Sequence, residues 1–117
     1  MRKDKTDLPR GTLDLLILKA LAPEPLHGVG ISRRIRQMTN GAFQVSFGSL
    51  FPSLHRMEER EWVVAEWRAS ENNRRAKYYK LTDAGRKRAA IQERDWNRVV
   101  EVMRAALQYP RITPEEG

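Results

Sequence analysis

Read at helical spacing, the segment from Phe47 to Arg60 divides into two faces of different chemistry. Phe47, Leu50, Leu54 and Met57 recur at three- and four-residue steps and mark a packing side, while Ser49, Ser53, Arg56 and Arg60 recur at the same steps on another. Small hydroxyls followed by guanidiniums suit a helix pressed against a polyanion. Low bulk lets a backbone approach closely, and arginine offers a planar fork for phosphate oxygens or a guanine edge. An ordinary amphipathic surface helix carries the same pattern, so the segment gains weight only from what surrounds it. Pro52 has no N–H and fits a first helical turn, so the helix either begins near Ser49 or runs from Ser46 with a distortion at the proline. Either start leaves unpaired backbone N–H groups among small polar side chains, a suitable place for a phosphate.

The same reading predicts three further helices and one hairpin. Leu13 to Leu21 is a helix with Thr12 as its N-cap, stopped by Pro23 and Pro25, and only Asp14 and Lys19 in it are charged. A helix apolar on nearly all sides must be covered on nearly all sides. It is therefore either the central helix of one fold or partly a subunit interface through Leu13, Leu16 and Ile17. Ser32 to Met38 is a second helix, with Ile31, Ile35 and Met38 on the buried side and Arg33, Arg34 and Arg36 on the wet one. Gly28 and Gly30 ahead of it serve a tight chain path or close contact with a neighbouring helix. No strand precedes them, so they do not imply a nucleotide-binding loop.

Trp62 to Ala69 and Ala76 to Leu81 are rich in β-branched and aromatic residues and flank Ser70-Glu71-Asn72-Asn73-Arg74-Arg75, which reads as a hairpin with a basic tip. Asn72-Asn73 can supply positive φ at the turn. Thr82-Asp83 then caps a helix from Asp83 to about Gln108, with Ala89, Trp96, Val99, Val100, Met103 and Leu107 as its apolar stripe. At 1.5 Å per residue it is roughly 38 Å long, more than one small domain covers, so its far end is expected to pack against a partner chain.

The fold class expected is mainly α with a two-stranded β-hairpin: a winged helix-turn-helix followed by a long C-terminal dimerisation helix. The domain plan is a flexible leader over residues 1–7, a DNA-binding unit over 8–82, a dimerisation helix over 83–108 and a loose tail over 109–117.

Charge sharpens this picture. The 117 residues carry 22 Lys+Arg against 15 Asp+Glu, a net charge of +7 that favours a polyanionic partner. From Arg68 to Arg88 there are eight basic residues and two acidic ones, so most of the surplus lies in and just after the hairpin. There is no cysteine, hence no disulfide, thiolate metal site or cysteine nucleophile. The two histidines, His27 and His55, have no carboxylate cluster at ligand spacing, so catalysis is the least favoured class, and neither metal nor cofactor is expected. The charged N-terminus lacks a signal pattern and the longest apolar run, Leu15 to Leu18, is far too short for a bilayer. A cytoplasmic protein without membrane association is expected.

Four blocks in order resemble the PadR family of bacterial transcriptional regulators, across roughly Leu8 to Leu107: Arg10-Gly11-Thr12-Leu13, His27-Gly28-Val29-Gly30-Ile31, Gly48-Ser49-Leu50-Phe51-Pro52-Ser53-Leu54-His55-Arg56-Met57-Glu58, and Tyr78-Tyr79-Lys80-Leu81-Thr82-Asp83-Ala84-Gly85. The single C-terminal helix resembles the short-tailed members. Three positions depart from the family pattern: Val29 replaces an aromatic, Phe51 a tyrosine and Glu61 a glycine. Phe51 thereby loses a hydroxyl for phosphate and is expected to pack. Glu61 is expected to give a slightly different exit from its helix with the fold kept.

The resemblance implies a homodimeric repressor that binds a roughly palindromic operator in double-stranded DNA and is released by a small, often aromatic, ligand. Gln44, Ser46, Ser49, Ser53 and Arg56 are the residues expected near the groove. His55 faces either the groove or the hairpin. Arg74, Arg75 and Lys77 are expected to hold phosphate. Trp96, Val99, Val100, Met103 and Leu107 are the expected dimer contacts, with Leu13, Leu16 and Ile17. Trp96 either packs in that interface or lines an effector pocket. The rival reading is a winged-helix protein-interaction module without specific DNA binding, whose signature would be an acidic or apolar third helix. Single-strand or RNA binding would need exposed aromatics on an open sheet, and Tyr78 and Tyr79 lie too near the expected core.

Overall fold

The structure, a computed structural model, describes Leu8 and residues 10–110. The expected leader over 1–7 and the tail beyond Pro110 lie outside the described residues. The chain runs α1 (Arg10–Leu21), β1 (Leu26–His27), α2 (Gly28–Met38), α3 (Phe47–Glu59), β2 (Val63–Ala69), β3 (Arg75–Leu81) and α4 (Asp83–Leu107). The first correction is to the hairpin. The sheet has three antiparallel strands in the order β1-β3-β2, because Leu26 and His27 pair with Tyr79 and Tyr78. Two residues between a proline and a helix are too short to show any alternation, so this strand exists only by virtue of its tertiary partner.

Local chemistry explains where the helices start. His27 caps α2, its Nδ1 accepting from the Gly30 N–H at 3.0 Å, so both glycines fall inside the first turn and the helix starts earlier than expected. α1 likewise begins at Arg10, which puts Thr12 within its first turn and not at the cap. Thr82 caps α4 by accepting from the Gly85 N–H at 2.9 Å, and its hydroxyl also donates to the Glu61 carbonyl at 2.6 Å. A side chain at Gly85 would run into the Trp62 carbonyl, so glycine is what lets α4 start this close to the sheet.

The exit of α3 departs from expectation. Glu61 adopts the left-handed conformation, φ 62°, that glycine takes more cheaply. The Trp62 N–H donates to the Met57 carbonyl and the Glu61 N–H to that of Glu58, at 2.9 and 3.0 Å, which is the complete paired C-terminal closure. The helix thus leaves by the ordinary route, and the cost falls on Glu61.

The core centres on α1. Ile17, Leu18 and Leu21 pack with Ile31 and Ile35 of α2, Leu50, Leu54 and Met57 of α3, and Val63 of β2, all fully buried. Of the two roles left open for α1, the central one is the one observed: α2, α4 and β3 surround it. Leu13 and Ile17 are buried inside their own chain, and Leu16 is partly buried against the same cluster. The expectation that Leu13 and Ile17 serve a subunit interface is therefore corrected. A helix apolar all round announces burial without saying by which chain.

α4 changes character along its length. Gly85 and Ala89 are buried, and Lys19 of α1 pairs with Glu93 at 3.1 Å. Further along, Trp96, Val99, Met103 and Leu107 are exposed on the side that Ala89, two turns before Trp96, turns to the core.

Candidate nucleic-acid interface

α3 begins at Phe47 with Ser46 as N-cap, the earlier of the two starts allowed by the sequence. The Ser46 hydroxyl accepts from the Ser49 N–H and donates to the Ser49 hydroxyl, each at 3.3 Å. Pro52 lies inside the helix, exposed to solvent, where it offers no N–H to the Gly48 carbonyl one turn before.

The faces of α3 are rotated from the expected ones. Leu50, Ser53, Leu54 and Met57 form the buried stripe, with Ser53 only 3% exposed, whereas Phe47 is 51% exposed. Ser53 stands three residues after Leu50 and four before Met57, so helix geometry assigns it to their side whatever its polarity. Its hydroxyl accepts from the Arg56 guanidinium at 3.2 Å, and the same nitrogen lies 3.5 Å from a carboxylate oxygen of Asp14 on α1. Both residues were expected at the groove. Ser53 is instead buried by its place on the packing face, and the Arg56 guanidinium is paired with the nearly buried carboxylate on α1. His55 is exposed and 3.5 Å from Glu59, four residues on along the same helix.

The hairpin closes at residues 70–74. The Ser70 N–H donates to the Arg74 carbonyl at 2.7 Å, the Asn73 N–H to the Ser70 carbonyl at 2.9 Å, and Asn73 has φ 63°. Arg74 is exposed at this tip. The Arg75 guanidinium stacks on the Trp67 ring at 5.4 Å from its centroid, and that of Arg68 lies 4.7 Å from the Tyr78 ring while pairing with Glu66 at 2.8 Å. Lys77 points elsewhere: its Nζ is 3.7 Å from Glu58 of α3 and 5.8 Å from the Tyr79 ring centroid, so it ties the hairpin to the helix. Burial, and then the nearby Glu58 carboxylate, push the Tyr79 phenol above its usual pKa.

Between the start of α2, α3 and the hairpin lies an open cleft of about 390 Å³. Arg33, Arg74, Arg75 and Lys77 line it, Glu71 is the one acid in its wall among the described residues, and Phe51 and Val29 form an apolar patch within it. Sequence reading placed Arg33 only on a wet helix side. Nothing in the chain signals that α2 starts beside the hairpin until β1 docks on β3. Gln44 is exposed in the segment leading to α3, and Ser46 and Ser49 are half-buried at its start. Of the expected residues, the cleft brings Arg74, Arg75 and Lys77 together, and Gln44, Ser46 and Ser49 are not in its wall.

Trp96 borders a cleft of about 280 Å³ between the start of α1 and α4, which Arg88 and Gln92 also line. It also heads the apolar strip with Val99, Val100, Met103 and Leu107. Val102 and Tyr109 are exposed too and were not anticipated, because neither falls on the periodic stripe. Among the described residues no group of acids and histidines could hold a metal, and no helix is long and apolar enough to cross a membrane.

A helix presented beside a basic hairpin, on a three-helix core with a small antiparallel sheet, defines a winged helix-turn-helix of the kind that binds DNA. Residues 17–91 match the family model described as the transcriptional regulator PadR-like family. A transcriptional regulator of Mycobacterium tuberculosis, Rv3488, is 32% identical over 101 residues, 86% of this chain and 88% of its own. A PadR-like transcriptional regulator from Bacillus cereus superposes with a TM-score of 0.75 at 27% identity, covering 86% of this chain and 96% of its own. A PadR family regulator from Clostridium difficile gives a TM-score of 0.71 at 26% identity, over 81% and 97% of the two chains. The protein belongs to the PadR-like family of transcriptional regulators. Its function is DNA-binding regulation of transcription and not catalysis.

Proposed function

We propose that the protein is a homodimeric repressor whose residues 8–82 bind a palindromic operator, whose residues 83–108 hold the two protomers together, and whose affinity for DNA is lowered by a small aromatic effector. The observation that carries the DNA half is the cationic cleft between α2, α3 and the hairpin, lined by Arg33, Arg74, Arg75 and Lys77. Gln44, Ser46 and Ser49 meet DNA at the start of α3. Arg33, Arg74 and Arg75 hold the flanking phosphates, with Lys77 bracing the hairpin against α3.

The dimer half is supported by the length of α4. A helix that buries one face against its own domain and then continues that face into water, as Trp96, Val99, Val100, Met103 and Leu107, exposes apolar area that a second copy would cover. An effector bound beside Trp96, between α1 and α4, would change the spacing of the two DNA-binding units, and coupling of that kind is reciprocal. Selection of bound sequences from a random duplex pool at near-physiological salt tests the reading. A palindrome with half-sites about one helical turn apart is the expected product, and an unrelated collection of sequences would overturn it. Planar aromatics are expected to quench Trp96 fluorescence, measured as the difference between the native protein and Trp96→Phe. No difference across a broad panel would leave Trp96 as packing alone.

A further inference from the structure

The outward surface of α3 is not the polar one its sequence promised. Phe47 and Phe51 are 51% and 43% exposed with ring centroids 5.8 Å apart, and Gly48 and Pro52 beside them are exposed as well. Ser53 and Arg56, which have the chemistry to read purine edges through hydrogen bonds, are engaged with each other and with Asp14. The first two turns of α3 therefore lack a free donor fork, and what they present is aromatic.

The Phe51 ring is held in place. A Cβ on Gly28 would lie 2.5 Å from its Cζ, so the ring rests directly on the backbone of α2, and Phe47 leans on it in turn. A ring fixed against a helix backbone, as Phe51 is, loses little freedom on contact, which makes it suited to a defined apolar target. Around Phe51 the cleft wall carries Arg33, Arg74 and Arg75, and Val29 adds to the apolar patch. An apolar patch inside a cationic rim matches a partner that is negative at its edges and apolar at one point. Duplex DNA has that form in its major groove, where the thymine 5-methyl group is the apolar feature that distinguishes one base from the others.

Resting on the DNA-binding reading above, we propose that Phe47 and Phe51 are specificity-determining residues that read thymine methyl groups, so that α3 selects its operator by apolar contact in place of the arginine-guanine pairing suggested by its sequence.

The test uses the operator recovered by selection, with each thymine replaced singly by deoxyuridine, which deletes the methyl and nothing else. Affinities of the native protein are read by fluorescence anisotropy at one salt concentration. One or two thymines in each half-site are expected to lose about fourfold in affinity, the factor for one methylene-sized burial. In Phe47→Ala the same deoxyuridine substitution is expected to have no further effect. Unchanged affinity at every substituted position overturns the proposal, because that arm uses the native protein and does not depend on any variant folding. So does full sensitivity to the methyl in both Phe47→Ala and Phe51→Ala. If the native protein ignores every duplex offered, the DNA-binding reading itself fails, and the exposed rings become a protein-docking face.

Discussion

The Arg56 guanidinium reaches from α3 to within 3.5 Å of the Asp14 carboxylate on α1, the central helix of the domain. Asp14 is 8% exposed, in a helix with few other polar groups, so its ionised form depends on such partners. Arg56→Ala is expected to lower stability by about 1 kcal/mol, since the pair keeps partial solvent access on the arginine side. Urea unfolding would measure it. An unchanged midpoint, combined with altered sequence preference, would return Arg56 to the groove.

Glu61 offers the opposite sign. Its φ of 62° carries a left-handed penalty that glycine avoids, and both hydrogen bonds of the closure are backbone ones that need no side chain. Glu61→Gly is expected to raise stability by about 1 kcal/mol, less the entropy glycine adds to the unfolded chain. Glu61→Ala is not expected to do so, and thermal unfolding of the two variants together checks the conformational cause.

The far end of α4 is expected to be dispensable for the fold and essential for assembly. Met103 and Leu107 are 49% and 78% exposed within one chain, so Met103→Glu with Leu107→Glu removes little from the core. Sedimentation is expected to show monomers with native circular dichroism. A double variant that remained dimeric would move the interface elsewhere.

Arg74 stands at the hairpin tip with its side chain in solvent. Arg74→Ala is expected to weaken binding to all sequences alike and to flatten the dependence of affinity on salt by about one unit, the signature of one phosphate contact. Anisotropy titrations across salt concentrations measure the slope, and an identical slope would remove the hairpin tip from the interface.

Tyr79 gives an alkaline limb. Its folded pKa is raised by burial and by Glu58, so the stability it contributes is complete below the unfolded phenol's value, about 10, and is lost as pH rises through the higher folded value. Tyr79→Phe lacks this ionisation, and its unfolding midpoint is expected to fall less steeply above that pH than that of the native protein.

The chain's own pattern of apolar and polar positions determined the order of the four helices and the hairpin, the Asn72-Asn73 turn, the cap at Thr82 and the apolar strip of α4, and left the start of α3 open between Ser46 and Ser49. These are local matters: a cap, a turn or a stripe is decided by residues within a few positions of each other. Tertiary structure decided the rest. It made Leu26-His27 a strand by giving it Tyr78 and Tyr79 as partners, buried Ser53 because Leu50 and Met57 bury on that side, and drew Arg56 to Asp14, forty-two positions earlier in the chain. A sequence window states what a side chain is capable of, and whether it acts on a ligand or on its own fold depends on which distant group arrives beside it.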